Sequence, residues 1–166
     1  MKTEHGYSQT ALGFLVLVII ALFSTACGSK STNSANSSNE TGTLRKSVNV
    51  ADEAGANRTL QTMFRAQTEY MLSHAEDYGT FDQLVADNYL DSRFAGASPV
   101  VGGYAFKMTL TAKSGSDSAA YTVNADPRSA DGTPTGGARH LYLDSTSNVI
   151  RANATRSATA SDPPLE

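Results

Sequence analysis

One cysteine, no tryptophan and three histidines stand in a chain of 166 residues. A lone thiol, Cys27, makes no internal disulfide, so packing alone must hold any domain together, and a leftover cysteine in an exported chain needs an explanation. A zinc site asks for three or four converging His, Cys or carboxylate ligands, and no such spacing exists here. Charge is also scarce. Charged residues make up 17% of the chain, and 13 Lys and Arg against 16 Asp and Glu leave a net charge of −3. No basic cluster exceeds the pair Arg45 and Lys46, so the electrostatic footprint of a nucleic-acid surface is missing. There is no Gly-x-Ser-x-Gly elbow and no phosphate-cradling Gly-rich Lys-Ser/Thr loop. The reading assigns no catalytic residue, no cofactor and no small-molecule substrate, and takes the chain as non-enzymatic.

What is present begins with an apolar run. Residues 11–23, ALGFLVLVIIALF, hold no charge, and a short polar stretch with Lys2 precedes them. A permanent span needs roughly 20 apolar residues. A run of 13 suits the middle of an export signal better. Small residues Ser24, Thr25 and Ala26 then lead into Cys27. This resembles a lipobox, the processing signal of bacterial lipoproteins, with Ser24 standing where a leucine is usual. The resemblance implies a signal peptide over residues 1–26, cleavage between Ala26 and Cys27, and acylation of the Cys27 thiol with palmitate-type chains. Each buried methylene contributes about 0.8 kcal/mol, and two or more chains anchor stably where one does not. Gly28, where an Asp would signal retention in the inner membrane, directs the expectation to the outer membrane of a Gram-negative cell envelope.

Residues 27–46 read as the lipidated cysteine and a tether. The stretch GSKSTNSANSSNETGT, residues 28–43, has no aromatic and no aliphatic side chain larger than Ala. It buries too little apolar surface to offset the entropy of ordering, so disorder is expected. Its root-mean-square span would be roughly 20–25 Å.

Residues 47–153 carry the patterns of a folded domain. Leu60, Met63, Phe64, Gln67, Tyr70, Met71 and His74 recur at helical spacing, Gln67 being the polar break in the stripe. The helix is expected over residues 49–75, with Asp52 and Glu53 near its start, where they suit the dipole. Thr80 and Gln83 form a capping box for a short second helix. Residues 104–113 alternate strictly, with Tyr104, Phe106, Met108, Leu110 and Ala112 on one face, and predict a strand with one buried face. Further strands are expected over residues 120–124, 140–144 and about 149–151, and a flexible tail over residues 154–166. The fold class is α+β: one long N-terminal helix packed on a three- to four-stranded antiparallel sheet.

That order resembles the head of a type IV pilin or a type II secretion pseudopilin. The carrying phrases are ANRTLQTMFRAQTEYMLSHA, YGTFDQLVADNYLD, GGYAFKMTL, AYTVNADP and LYLDSTSNVIRAN, which together cover most of the mature chain. The resemblance implies a structural or interaction module linked to a secretion or pilus system, with an envelope protein as partner through the sheet edge or the 126–137 loop. A second reading is a true minor pilin cut after Gly6 and inserted by its apolar helix. Its fifth mature residue would then be Ala11, where pilins carry Glu. A third is a small-molecule-binding or enzymatic lipoprotein. Asp126, Asp131 and Asp144 form a weak calcium set, since some pseudopilins bind calcium near their C-terminal loops. Their spacing matches no calcium motif, and a solvated loop is the preferred reading. His74 and His140 are read as structural.

The Cys27 assignment makes a direct prediction. Cys27→Ala should leave the membrane fraction on cell fractionation, and a variant that stays there as before would exclude thiol-linked lipid as the anchor.

Overall fold

The computed structural model describes residues 37–128 and 138–166. Among the described residues two α-helices and five strands follow in the order α1 (Ser37–Ser73), α2 (Phe81–Ala86), β1 (Val100–Val101), β2 (Tyr104–Thr111), β3 (Ala120–Pro127), β4 (His140–Asp144) and β5 (Arg151–Asn153), with a 3-10 turn at Ser92–Phe94. The strands form one antiparallel sheet in sequential order, a meander. One face of it is covered by α1. Ala56, Leu60, Met63, Ala66 and Tyr70 from the helix meet Tyr104, Phe106, Tyr121, Val123, Ala125, Leu141, Leu143 and Ala152 in a single core. The fold is thus α+β with one long helix on an antiparallel sheet of five strands, where three or four were expected.

The alternation of β2 places Tyr104 and Phe106 inward, fully buried. β3 alternates likewise, with Tyr121, Val123, Ala125 and Pro127 buried. β4 falls where expected and turns Leu141 and Leu143 inward. The capping box before α2 is present: Thr80 accepts from the Gln83 amide at 3.2 Å, and the Gln83 side chain accepts from the Thr80 amide at 2.8 Å.

Four expectations are corrected. First, α1 begins at Ser37, inside the residues assigned to the tether. In this first part of α1 the apolar residues Leu44, Val48 and Val50 are exposed. A helix already nucleated on a core adds one hydrogen bond per residue fixed, so it propagates outward without burial. Asp52 and Glu53 are therefore interior to α1, not at its start. Second, the fourth expected strand lies at Arg151–Asn153 (β5), two residues later than predicted. Third, β1 at Val100–Val101 adds a strand ahead of the expected ones. Gly102 and Gly103, at φ +57° and +77°, make the two-residue turn joining it to β2. At Gly103 a Cβ would sit 2.7 Å from the Asp52 carboxylate, so the hairpin touches α1 closely.

Fourth, the tail 154–166 is folded, not flexible. Asn124 Nδ2 donates to Ala158 O at 2.7 Å across the outer face of the sheet. Ala152 N donates to Pro163 O at 3.0 Å and Leu165 N to Ile150 O at 2.8 Å, beside β5. Backbone pairing of this kind needs no apolar side chains, and for that reason composition concealed it.

The polar break in the helical stripe is a clamp. Gln67 is fully buried. Its Nε2 donates to Gly79 O at 2.6 Å, and its Oε1 accepts from Gly79 N at 3.0 Å. Gly79 also lies against the Tyr70 ring, where a Cβ would approach to 3.1 Å. Gln67→Leu should cost about 3 kcal/mol, because it strands a buried backbone donor and acceptor at once. Urea unfolding measures this, and a loss no larger than that of an exposed helical site would remove the clamp from the account.

Candidate functional site

Cys27, Ala26, Gly6 and the apolar run 11–23 lie outside the described residues, as does Asp131. Among the described residues no helix is long and apolar enough to cross a membrane.

The remaining members of the calcium set are not brought together. Asp126 lies near one end of β3, while Asp144 on β4 is opposite Thr122, four residues away along β3. At a rise of about 3.3 Å per residue the two stand roughly 13 Å apart. Each is tied elsewhere. Asp144 Oδ1 accepts from Thr146 N, Thr146 Oγ1, Ser147 N and Ser147 Oγ at 2.8–3.0 Å, closing the turn after β4. Burial alone would raise its pKa, but the Thr146 and Ser147 donors outweigh burial and hold it below the ordinary value. Among the described residues no three His, Cys, Asp or Glu side chains are grouped to hold a metal ion.

Asp126 does meet a histidine and a serine. His140 Nδ1 lies 2.6 Å from Asp126 Oδ1, and Ser157 Oγ donates to the same oxygen at 2.7 Å. A hydrolytic triad would run from hydroxyl to imidazole to carboxylate. Here the hydroxyl and the imidazole both bond the carboxylate, so the order of a triad is not formed. The cluster joins the tail to β3 and β4. His74 likewise serves the end of α1. It stacks on Tyr70 with centroids 3.7 Å apart, its Nδ1 lies 3.0 Å from Tyr70 O, and its Nε2 lies 3.3 Å from Asp87.

The tail has its own centre at Asp162, which is buried. Its carboxylate accepts from Asn153 Nδ2 at 2.7 Å, from Arg156 at 3.0 Å, and from the amide and hydroxyl of Thr159 at 2.8 and 2.9 Å. The Asn153 bond leads the effects that hold this carboxyl well below the usual range, with Thr159 and Arg156 adding to it against desolvation. Arg151 donates to the Asp162 carbonyl at 2.9 Å, and Arg151 and Pro164 form an antiparallel bridge. The free side of β5 is thereby covered.

The other edge differs. β1 pairs only with Tyr104 and Ala105, and one further bond runs from Phe106 N to Pro99 O at 2.9 Å. Beyond that, Lys107 to Thr111 have β3 on one side and no backbone partner on the other among the described residues. A cavity of about 270 Å³ adjoins this run, between Met108, Leu110 and the start of α2 at Phe81. A second, of about 480 Å³, also reaches Leu110 and extends to Tyr78 and Gln83. A third groove, of about 440 Å³, lies between α1 and the β4–β5 turn. Two of its polar groups, Asn57 and Gln61, bond each other at 3.3 Å.

Sequence reasoning named the sheet edge as a contact surface without saying which edge. The Gly102-Gly103 pair between Val101 and Tyr104 was the available signal for β1, and with it for the short cover on β2. The ties of the tail carried no such signal. No protein-family model, curated protein or solved structure matches the chain.

Acid should loosen the tail clamp. A carboxyl whose folded pKa is depressed adds stability above its unfolded value of about 3.9 and loses that contribution as pH falls below it. The thermal midpoint should begin to drop below about pH 5 and fall most steeply below the unfolded value of about 3.9, on toward the depressed folded value, and Asp162→Asn should lower it at neutral pH while flattening that acid slope. A variant with an unaltered slope would exclude Asp162 as the titrating group.

Proposed function

We propose that the chain is a membrane-anchored envelope lipoprotein whose pilin-like α+β domain is a non-catalytic protein-interaction module associated with a secretion or pilus system. The anchor half of this reading is supported by the apolar run 11–23 followed by Ser24, Thr25, Ala26 and Cys27. The pilin-like half is supported by the order of elements, one long helix followed by a sequential antiparallel meander.

The observation that carries the interaction half is the unequal treatment of the two sheet edges. β5 is covered by thirteen residues of tail held through Asp162, whereas β2 keeps part of its edge open beside apolar cavities. Edge strands invite pairing, and proteins normally cover or charge them. One covered edge beside one open edge supports reading the open one as a contact surface. The buried polar groups near the candidate histidines are engaged with one another, which supports a structural role for them.

One observation favours the second reading, a minor pilin processed after Gly6. α1 reaches back to Ser37, so the interval between the apolar run and the head helix is shorter than the composition suggested. Intact-mass analysis of protein purified from its native host separates the two. The lipoprotein reading expects a chain starting at Cys27 with added acyl mass. A chain starting at Tyr7 without acyl mass would replace it with the pilin reading. A membrane pull-down that enriches no envelope protein above background would count against the interaction module itself.

A further inference from the structure

The open part of β2 presents its backbone in a defined pattern. Phe106 N–H points toward Pro99 and away from β3. Lateral direction alternates along a strand, so Met108 and Leu110 aim their N–H and C=O groups the same way. The lane that β1 fills ends at Pro99, and among the described residues nothing pairs with the backbone of Met108 or Leu110 beyond it. These two donor–acceptor pairs lie about 6.7 Å apart, the repeat of an extended chain. Only another extended backbone matches that spacing.

The side chains add a preference. Met108 and Leu110 are half-buried on the helix-facing side, and each borders a cavity there. The loop that closes the smaller cavity is fixed by Gly96 N donating to Asp82 Oδ1 at 2.7 Å. On the opposite face Lys107, Thr109 and Thr111 are exposed, and Lys107 forms no ion pair among the described residues.

From this we infer that Met108–Leu110 is a docking lane for an extended segment of a partner protein, added as a strand, with alternate apolar side chains entering the cavities and an acidic side chain facing Lys107. The inference rests on the interaction-module reading and names the class of partner it would take. Strand addition draws affinity from main-chain hydrogen bonds and selectivity from pockets for alternate side chains. A second copy of the chain fits less well. Pairing two β2 edges about a two-fold axis near Thr109 would bring the partner copy's β1 and Pro99 into the lane of Ala112 to Ser114. A lone strand needs no such room.

The probe is a capped nonapeptide of alternating valine and threonine with one central glutamate, titrated against the full chain in detergent micelles. Two further versions carry N-methyl groups, one on every valine, the other on every threonine. Binding should slow hydrogen exchange at the Met108 and Leu110 amides. One methylated version should lose binding and the other keep it, because only alternate amides face β2. The version that fails reports whether the strand runs parallel or antiparallel. Leu110→Pro removes an edge-facing N–H without touching the ladder to β3, and should weaken binding about tenfold, the weight of one backbone hydrogen bond and its apolar contact. Equal binding by both methylated versions, protection elsewhere, or no binding would overturn the lane. Concentration-dependent dimers broken by Leu110→Pro would overturn it in favour of a second copy. A photoreactive residue at Thr109, compared with one at Arg65 on the α1 groove, separates this inference from its premise. Crosslinks to a specific envelope partner from Arg65 alone would remove the lane and keep the interaction module.

Discussion

The carboxamide of Gln67 is the contact on which the rest of the domain depends. It is a polar side chain in the middle of an apolar helical face, fully buried, and it bonds both the N–H and the C=O of Gly79. An amide is the side chain able to satisfy a backbone donor and acceptor together. The residue that ends the first connection is thereby held against α1, twelve residues back. Everything downstream is placed from that point: the Thr80 cap begins α2, Phe81 and Leu84 enter the core, and Met108 reaches the Gln67 amide from β2 at 3.1 Å. Gly79 is required for the same reason, since any Cβ there would press on the ring of Tyr70.

A second tie fixes the other end of the buried helical stripe. Glu53 receives Arg139 through Nε at 3.1 Å and through the terminal nitrogen at 2.6 Å, while Tyr104 donates to Arg139 O at 2.8 Å. Bidentate pairs of this kind carry directional as well as electrostatic weight. Between Glu53 and Gln67 the helix contributes Ala56, Leu60 and Met63 to the core. The apolar contacts supply most of the driving force, and the two polar ties fix the angle at which α1 lies over the sheet. Upstream of Glu53 the apolar helix residues Leu44, Val48 and Val50 are exposed.

What could be read from residues alone follows from where the stabilising groups are. The capping box at Thr80 and Gln83 is local, so four residues sufficed to place it. The alternation from Tyr104 to Thr111 is imposed by one buried and one exposed face and was equally legible. Gln67 was visible only as an anomaly, because its partner Gly79 contributes backbone and no side chain. The tail was misread for a related reason. Many of its contacts are backbone pairs at Ala152 and Ile150 and a cluster around one aspartate, none of which raises local hydrophobicity. Of its apolar side chains only Ala158 is buried, and Leu165 packs on the core. The weak calcium set, for which a solvated loop is the preferred reading and whose Asp131 lies outside the described residues, shows the opposite difficulty. Three carboxylates near one loop suggested convergence, but the register of β3 against β4 separates Asp126 from Asp144.

An open strand edge invites aggregation, so its extent matters. The free run is bounded at one end by Pro99 and β1, and at the other by the turn in which Ser114 and Asp117 pair. Proline offers no N–H to extend the lane, and the turn bends the chain out of it. The outer face of the same run carries Lys107, and beyond the end of β2 Lys113 is paired with Glu76 at 3.0 Å. Charge and short length are the usual defences of an edge. They limit any guest to a few residues of one strand and prevent the sheet-on-sheet growth that a long flat edge would allow. An edge guarded at both ends and open in the middle is suited to reversible capture of a short segment, and poorly suited to unlimited polymerisation through the sheet.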